Sequence, residues 1–178
     1  MPGEAVKDTV MNVDPVEALQ AHLGGGVIDV FERSAARTYV GIHTSVVKDA
    51  AAFMFNELGA RLIILTALET RSGMEILYHF SFDRLSRLVT LRALVPMPEP
   101  QIDSITPVID GAEYIEREIR DLFGVTFIGH PNPVRFLLAD DWPDCVYPYR
   151  KEYRGQYPYR TEEELQQVRE QMRRKGTK

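Results

Sequence analysis

The segment MEILYHFSF, which spans Met74–Phe82, has the pattern of a β-strand with two different faces. Its alternating positions hold Ile76, Tyr78 and Phe80 on one side and Leu77 and His79 on the other. Because successive side chains on a strand point to opposite faces, we expect a central strand that is covered on one face and partly covered on the other. The apolar segments Arg61–Leu68 and Leu88–Val95 predict a further strand on each side of it in the sequence.

Before these three strands, the chain supplies two more strands and two helices. They are a helix from Asp14-Pro15 to Leu23, strands at Val27–Phe31 and Arg37–Ile42, and a helix at Ser45–Leu58. Adjacent strands with few helices are typical of the α+β class, whereas doubly wound nucleotide folds need strict alternation. We therefore predict an α+β fold with a mainly antiparallel sheet and helices packed on one face, followed by an extended C-terminal arm. The domain covers residues 1–146, of which 1–13 are expected to be flexible, and the arm covers residues 147–178.

The composition excludes several classes of function. Of 178 residues, 44% are hydrophobic and 26% are charged, which is ordinary for a globular domain. A net charge of −5 argues against a general nucleic-acid binder, so we expect no nucleic acid as a partner. Cys145 is the only cysteine, which excludes a disulfide framework and a cysteine-ligated iron–sulfur or zinc site. With no signal-peptide pattern and no long apolar run, we expect a soluble protein in a reducing compartment that reaches a membrane only through partners.

Two features invite a chemical interpretation that the surrounding residues do not support. His79 has no metal-ligating residue at suitable spacing near it, so a strand histidine that faces solvent or a partner is favoured over a ligand. Gly24-Gly25-Gly26 follows a helix and lacks a subsequent Gly-Lys-Ser/Thr, so it predicts a flexible link rather than a phosphate-binding loop.

The predicted helix Ala112–Phe123 has one apolar face and one charged face. The charged face holds Glu113, Glu116, Arg117, Arg120 and Asp121. Acids and bases four residues apart, Glu116 with Arg120 and Arg117 with Asp121, can pair on a helix surface. A self-paired, solvated face is the simplest interpretation, and each exposed pair would contribute only about 0.3–0.5 kcal/mol. The residues that follow the helix favour a docking surface instead.

An irregular stretch rich in aromatic residues, proline and arginine follows this helix. It contains a Gly-His-Pro turn at residues 129–131 and the segments ADDWP and CVYPYRKEY. Such an aromatic–arginine mixture is enriched at protein–protein contacts. The sequence YPYR begins at Tyr147 and again at Tyr157, and a capping box at Thr161–Glu164 predicts a final helix. We interpret residues 147–178 as an arm that lies on a partner.

The predicted partner interface combines the helix, the turn and the arm. Its residues are Glu116, Arg117, Arg120, Asp121, His130, Arg135, Trp142, Tyr147, Tyr149, Arg150, Lys151, Tyr153 and Tyr157. His130 most resembles a catalytic group, but in a tight turn its ring is better explained as a cap on the backbone or a pair with an acid. If this is a docking surface, charge reversal at Arg117 or Arg150 should impair assembly more than it impairs folding of the isolated chain.

The same residues resemble the signature of a known family. The matching positions are Glu116-Arg117-Glu118, Asp121-Leu122-Phe123-Gly124, Phe127, Gly129-His130-Pro131, Asp141-Trp142-Pro143 and Tyr149-Arg150-Lys151-Glu152. This combination is similar to the 30-kDa subunit of respiratory NADH dehydrogenase, complex I. It is also similar to the equivalent domain of group 4 membrane-bound NiFe hydrogenases and formate hydrogenlyases. The strong match runs from Gly111 to about Tyr153, and the strand-rich half agrees with the family in layout only.

One position and one segment depart from the family pattern, and the departure of the segment favours the hydrogenase branch. Family members usually carry two adjacent basic residues after the His-Pro pair, but here Val134 takes the first place and only Arg135 remains. After Asp141-Trp142, members from complex I usually continue Gly-His-Pro-Leu-Arg-Lys-Asp. This chain instead has DCVYPYRKE at residues 144–152, which is more similar to the hydrogenase type.

The resemblance implies a non-catalytic subunit in the peripheral arm of a membrane-bound, ion-translocating redox complex. Such a subunit binds no metal or cofactor itself, because the iron–sulfur clusters and the NiFe centre or quinone belong to its partners. It supports the large subunit and the small iron–sulfur subunit in an obligate hetero-complex on the cytoplasmic side of the cell membrane, and it contacts membrane subunits indirectly. The NiFe hydrogenase or formate hydrogenlyase type is favoured, and the C-type subunit of a quinone-reducing NADH dehydrogenase is the alternative.

A third hypothesis is a free-standing enzyme that uses Glu116, Asp121 and His130 as acid–base groups. Carboxylates and a histidine can transfer protons when they lie within hydrogen-bond reach of a substrate. This hypothesis requires the three side chains to converge in a pocket of the isolated fold. If they spread along a helix face and a separate turn, it fails.

Overall fold

The computed structural model describes residues 14–153 together with Gln166 and Glu170. Its helices and strands are α1 (Pro15–Leu23), β1 (Val27–Ser34), β2 (Arg37–Ile42), α2 (Val47–Ala52), β3 (Arg61–Glu69), β4 (Met74–Phe82), β5 (Arg87–Val95), β6 (Gln101–Asp103), α3 (Glu113–Phe123) and β7 (Thr126–Ile128). Single turns of 3-10 helix lie at Gly24–Gly26, Thr44–Val46, Asp83–Leu85 and Asp110–Ala112, and a π-helical turn, Phe53–Glu57, extends α2. The predicted helices and strands up to residue 123 are therefore present, and the triple glycine forms a helical turn rather than a flexible link.

Five strands form one mixed sheet in the order β1-β2-β5-β4-β3. Three of the neighbouring pairs are antiparallel, and β2 runs parallel to β5 with Val40 opposite Leu91. Parallel neighbours need a long crossover, and the chain between β2 and β5, which contains α2, β3 and β4, supplies it. The predicted α+β class with a mainly antiparallel sheet is confirmed.

The core lies between the helices and one face of this sheet. In β4, Ile76, Tyr78 and Phe80 are fully buried, while Leu77 and His79 are partly exposed on the opposite face. The helices contribute Val16 and Leu19 from α1, Ala50 and Ala51 from α2, Met54 from the π-helical turn that extends α2, and Ile119 from α3. The alternation in β4 therefore predicted both the strand and its two unequal faces.

Among residues 14–153, no helix covers the opposite face of the sheet. His79 lies on it between the hydroxyl groups of Thr66 and Thr90, at 2.9 Å from each. Burial, and then the charge of Arg37, lower the pKa of His79. The side chains of Phe31, Ile64, Leu68 and Leu94, which share this face by register, are exposed. The ring of His79 therefore links three neighbouring strands on an open face.

The short strands β6 and β7 pair in parallel, with Ile102 opposite Phe127. The backbone N–H of Ser104 donates to Ile128 O at 2.9 Å and extends this pair by one residue. The chain that connects the two strands contains the turn at residues 104–106 and α3. The pairing of the strands therefore holds the end of α3 close to this turn.

Several sequence predictions concern residues outside the described part of the chain. They are the flexible segment 1–13 and the second YPYR with its predicted interface residue Tyr157. The final helix, predicted to open at Thr161–Glu164, is described only at Gln166 and Glu170, both of which are helical. Within the described residues, no helix is both long enough and apolar enough to cross a membrane.

Candidate partner-binding site

The charged face of α3 is mostly buried. The exposed fractions are 0% for Glu116, 8% for Arg117 and 7% for Asp121. Arg117 pairs with Glu113 at 3.6 Å, one turn earlier, rather than with Asp121 one turn later. The interpretation of this face as solvated and self-paired is therefore wrong. Buried charges are costly unless they are paired and hydrogen-bonded, so the partners of each charge explain its presence.

Glu116 holds the turn that follows β6. Its carboxylate accepts hydrogen bonds from the backbone N–H of Ile105 at 2.7 Å, from the hydroxyl of Thr106 at 2.9 Å and from the hydroxyl of Ser104. Nε2 of His130 lies 3.8 Å away. Burial raises the pKa of Glu116, while the three hydrogen bonds and His130 act in the opposite direction. The carboxylate thus connects α3 to the turn at residues 104–106 and to the Gly-His-Pro turn.

His130 connects the start of α3 to the loop that follows β7. Its Nδ1 accepts a hydrogen bond from the backbone N–H of Asn132 at 3.0 Å. The hydrogen is therefore on Nε2, which lies 3.1 Å from Glu113 O and donates to it. Both ring nitrogens are thus bonded to backbone groups, which is the capping role predicted for this residue.

Asp121 holds the loop at residues 136–138. One carboxylate oxygen, Oδ2, accepts hydrogen bonds from the backbone N–H groups of Phe136, Leu137 and Leu138 at 2.7, 2.8 and 3.3 Å. Successive N–H groups that converge on one point form a cavity suited to an anion, and the carboxylate fills it. The loop thereby gains the hydrogen bonds that a neighbouring strand would otherwise supply.

Arg117 holds the same loop through its carbonyl groups. It donates from Nε to Val134 O at 3.0 Å and from Nη2 to Arg135 O at 3.1 Å. The guanidinium carbon also lies 5.6 Å from the ring centre of Tyr114 and 5.0 Å from that of Phe136. Arg117 and Asp121 therefore fix the carbonyl and N–H groups of one short segment from the same helix.

Two further arginines continue this arrangement along the irregular chain. Arg120 donates from Nη1 to Pro133 O. Arg135 donates to the carbonyls of Ala139, Asp140 and Trp142 and to Asp144 Oδ1, at distances of 2.8, 3.2, 3.0 and 3.1 Å. The indole N–H of Trp142 donates to Val146 O at 2.8 Å. Side chains, rather than strand partners, thus hold residues 133–146.

The described beginning of the predicted arm contacts its own domain. The ring of Tyr147 lies against Gly124, where an added Cβ atom would stand 2.3 Å from it and where the φ of 72° also favours glycine. Arg150 donates from Nε to Phe123 O at 2.7 Å and stacks over Tyr147 at 4.4 Å. The N–H of Lys151 donates to Glu69 Oε2 at 2.8 Å. Residues 147–151 therefore pack on α3 and the end of β3.

The geometry does not support a free-standing acid–base enzyme. Glu116 and His130 do come together, but both are buried and bonded to groups of the fold. Asp121 is engaged separately by the loop at residues 136–138. A general acid or base must reach a substrate, and these three side chains reach only their own chain. Among residues 14–153, Gln166 and Glu170, no cluster of three His, Cys, Asp or Glu side chains could hold a metal ion.

The predicted interface residues therefore divide into two groups. Glu116, Arg117, Asp121 and His130 are buried inside the single chain. Exposed residues include Tyr149 and Lys151, while Arg120, Arg135, Trp142, Tyr147, Arg150 and Tyr153 are partly exposed. A role in partner binding stays a prediction for all of them. For the buried group, such a role would act through the segments that they position.

Sequence reasoning missed the partners of these buried charges and the surface that they support. Ser104 and Thr106, which bond Glu116, were not predicted as part of the site. Neither were Val134 and Leu137, which are exposed on the segment that Arg117 and Asp121 hold. A useful signal was present: a helix with six charged residues and one short strand precede a long segment with no strand pattern, whose backbone groups need partners.

Comparison with known proteins assigns these motifs to one family. Residues 40–159 match the family of the 30 Kd subunit of the respiratory-chain NADH dehydrogenase. The chain belongs to this family. The matched range contains α3, the loop that its charges hold and the beginning of the arm, so the family predicted from those motifs is confirmed.

Relatives of this family member carry names from two kinds of complex. Over 139 residues the chain is 29% identical to formate hydrogenlyase subunit 5 of Escherichia coli, an alignment that covers 76% of this chain and 24% of the relative. Over 85 residues it is 40% identical to the C-type subunit of NADH-quinone oxidoreductase from Nocardioides sp., covering 48% of this chain and 33% of the relative. The chain therefore spans about a quarter to a third of the length of these two proteins.

Solved structures share the fold at low sequence identity. One is a chain of the membrane-bound sulfane sulfur reductase, an archaeal respiratory membrane complex, with a TM-score of 0.69 and 19% identity over 79% of this chain and 84% of that one. A second is a trypsin-resistant fragment of Nqo5, with a TM-score of 0.55 and 20% identity over 66% of this chain and 97% of that one.

Proposed function

We propose that this chain is a non-catalytic structural subunit in the peripheral arm of a membrane-bound, ion-translocating redox complex. The family match over residues 40–159 carries this proposal. The chain would support a large electron-transfer subunit and a small iron–sulfur subunit, and these partners would hold the iron–sulfur clusters and the NiFe centre or quinone. It would lie on the cytoplasmic side of the membrane and be attached through its partners.

The geometry of α3 supports a structural role. Its charged side chains, which would be the candidates for proton transfer, are bonded to backbone and hydroxyl groups of the fold. These hydrogen bonds hold a long irregular segment in a defined conformation at the surface. A surface of this kind suits contact with larger neighbours better than it suits chemistry.

Within this proposal we favour the NiFe hydrogenase or formate hydrogenlyase type. The alignment with formate hydrogenlyase subunit 5 extends over 139 residues, compared with 85 for the NADH-quinone oxidoreductase relative from Nocardioides. The sequence at residues 144–152 also departs from the complex I pattern. The higher identity of the shorter alignment, 40%, supports the alternative, a C-type subunit of a quinone-reducing NADH dehydrogenase.

Affinity purification from the native host tests the assignment. We expect the tagged full-length chain, extracted in mild detergent, to bring down a large metal-containing subunit, a small iron–sulfur subunit and membrane proteins. Recovery of the chain alone would contradict the proposal. The sequence of the recovered large subunit then tests the favoured type, because two Cys-x-x-Cys pairs that ligate nickel would establish a hydrogenase.

A further inference from the structure

The C-terminal end of α3 is capped by the beginning of the arm. The last carbonyl groups of a helix have no partner within the helix, and here the arm supplies two donors. The backbone N–H of Tyr149 donates to Leu122 O at 3.1 Å, and Nε of Arg150 donates to Phe123 O at 2.7 Å. The helix dipole also favours the positive charge of Arg150 at this end. Residues 27 positions later in the chain therefore complete α3.

Aromatic contacts hold this cap in place. The ring of Tyr147 lies on Gly124, the residue at which α3 ends in the left-handed conformation. The guanidinium carbon of Arg150 lies 4.4 Å from the centre of the same ring, and the ring of Tyr149 meets that of Phe123 edge-on at 5.6 Å. A side chain at residue 124 would collide with the ring of Tyr147, so the two positions fit only as a pair. We call the contacts of Tyr147, Tyr149 and Arg150 with the end of α3 the arm latch.

The arm latch lies in the same turn of helix as the residue that holds the loop at residues 136–138. Asp121, whose carboxylate accepts the N–H groups of this loop, directly precedes Leu122 and Phe123, whose carbonyls the arm latch caps. The ends of helices fray, and they fray more readily when their terminal groups lose partners. When the arm latch opens, the last turn of α3 loses two hydrogen bonds, and the carboxylate of Asp121 loses its fixed position. This turn therefore connects the arm to the loop.

We propose that the arm latch couples the arm to the loop at residues 136–138, so that the two segments open and close together. The coupling adds a conformational control to the proposed function and rests on that function for its role in assembly: a partner that orders the arm would also order the loop. Coupling between two sites acts equally in both directions, so a change in the loop must also affect the arm latch. Tyr147 is a positioning residue here, since it acts on the loop through α3.

Amide hydrogen exchange of the full-length chain measures both segments at once, because it reports the free energy of local opening. Tyr147→Ala removes the ring that joins the arm to the end of α3. We expect exchange to become at least about tenfold faster at the N–H groups of Tyr149 and Lys151, since aromatic packing and a cation–π contact are lost. At residues 136–138 we expect exchange to become at least about fivefold faster, which is the lower end of the usual range for coupled sites.

Tyr39→Ala is the matched control. Tyr39 is also a partly exposed tyrosine, but it lies on β2, where its ring is 6.3 Å from that of Phe31. Because this variant removes no contact of the loop or the arm, exchange at residues 136–138 and at Tyr149 should stay within about twofold of the unchanged chain. The N–H groups of β4 provide the reference for global unfolding, and those of residues 136–138 should exchange faster than this reference.

Asp121→Asn tests the coupling in the opposite direction. It weakens the acceptor of the loop, so exchange at residues 136–138 should become faster. Removal of a negative charge near the C-terminal end of a helix by itself favours the helix. Faster exchange at Tyr149 in this variant therefore cannot come from a weaker helix end, and we expect it to arise through the loop, by at least about fivefold.

Three results would each overturn the inference. In the first, Tyr147→Ala speeds exchange at Tyr149 but not at residues 136–138, or leaves both unchanged. In the second, Asp121→Asn speeds exchange in the loop alone. In the third, the loop exchanges as slowly as β4 and so opens only with the whole domain. None of these measurements involves a partner, so they leave the proposed function standing, whereas recovery of the chain alone in the affinity purification would leave the coupling within the chain intact.

Discussion

The sheet and the region around α3 are held together in different ways. In the sheet, residues 27–95, neighbouring strands satisfy each other's backbone groups, and apolar side chains fill the space below the helices. In the region from residue 101 to 153, the two strands have only three residues each. There, the carboxylates and guanidinium groups of α3 bond the backbone of irregular chain.

This difference shows what the charges of α3 do. An irregular segment pairs only some of its N–H and C=O groups within itself, and buried backbone groups without partners are costly. Asp121 and Glu116 supply acceptors for N–H groups, and Arg117 supplies donors for carbonyls. The charged helix thus takes the place that a neighbouring strand has in the sheet. It leaves a loop whose shape is fixed and whose apolar side chains remain exposed.

The largest expected effect comes from removing the acceptor at the centre of this region. In Glu116→Ala, the N–H of Ile105 and the hydroxyls of Ser104 and Thr106 lose a buried partner. We expect the free energy of unfolding to fall by about 3–5 kcal/mol, the range for breaking a buried charged interaction. Urea unfolding of the isolated chain, followed by circular dichroism, measures it.

A control in the sheet sharpens the contrast. The hydroxyl of Tyr78 is buried without a hydrogen-bond partner in the described structure, so Tyr78→Phe removes a polar atom that bonds nothing there. We expect a change within about 0.5 kcal/mol, because no bond is lost and a desolvated hydroxyl is removed. A loss below about 1 kcal/mol for Glu116→Ala would show that the carboxylate is dispensable and would end the distinction between the two regions.

The second prediction concerns Arg117, and it revises the expectation drawn from the sequence. The side chain is nearly buried and donates to two loop carbonyls, so charge reversal should damage the isolated chain and not only its assembly. We expect Arg117→Glu to reduce the free energy of unfolding by about 3 kcal/mol, since hydrogen bonds to a charged group contribute about 1.5–3 kcal/mol and the new carboxylate would face carbonyl oxygens.

Arg33→Glu provides the matched control, with the same change of charge on the exposed edge strand β1. It should alter the free energy of unfolding by less than about 0.5 kcal/mol. Equal effects of the two reversals, measured by urea unfolding in the same buffer, would mean that net charge rather than the loop bonds determines the result.

The contrast also explains which features the sequence could predict. Met74–Phe82 was predicted with its observed bounds because a strand with a core face and an open face must alternate, and alternation is visible in the sequence. The parallel pairing of β2 with β5 was not predicted, because periodicity identifies strands but not their neighbours. The charged residues of α3 were correctly predicted to lie on one face of a helix. That this face is mostly buried against an adjacent loop was not predicted. A polar helix face in water and one that bonds an adjacent loop have the same periodicity, and only tertiary contacts distinguish them.

The smallest expected effect is a pH dependence that belongs to Glu116. Burial raises the pKa of its carboxyl above the ordinary value of 4.5, although hydrogen bonds oppose the shift. Between 4.5 and the higher pKa of the folded state, the folded chain binds a proton that the unfolded chain does not. This contribution to stability is fully present below pH 4.5 and is lost as the pH rises through the folded pKa, with a slope that one proton limits to about 1.4 kcal/mol per pH unit.

Glu116→Gln isolates this contribution, because the amide has nearly the same shape and does not titrate. We expect the free energy of unfolding of the unchanged chain to decline with pH relative to that of the variant over this window, and the difference to become constant above it. Urea unfolding at intervals from about pH 4 to about pH 8 measures the difference. Parallel curves throughout would mean that the carboxyl titrates alike in the folded and unfolded chains. Burial would then not alter the ionisation of Glu116. The α3 region would differ from the sheet only in how its backbone groups are hydrogen-bonded.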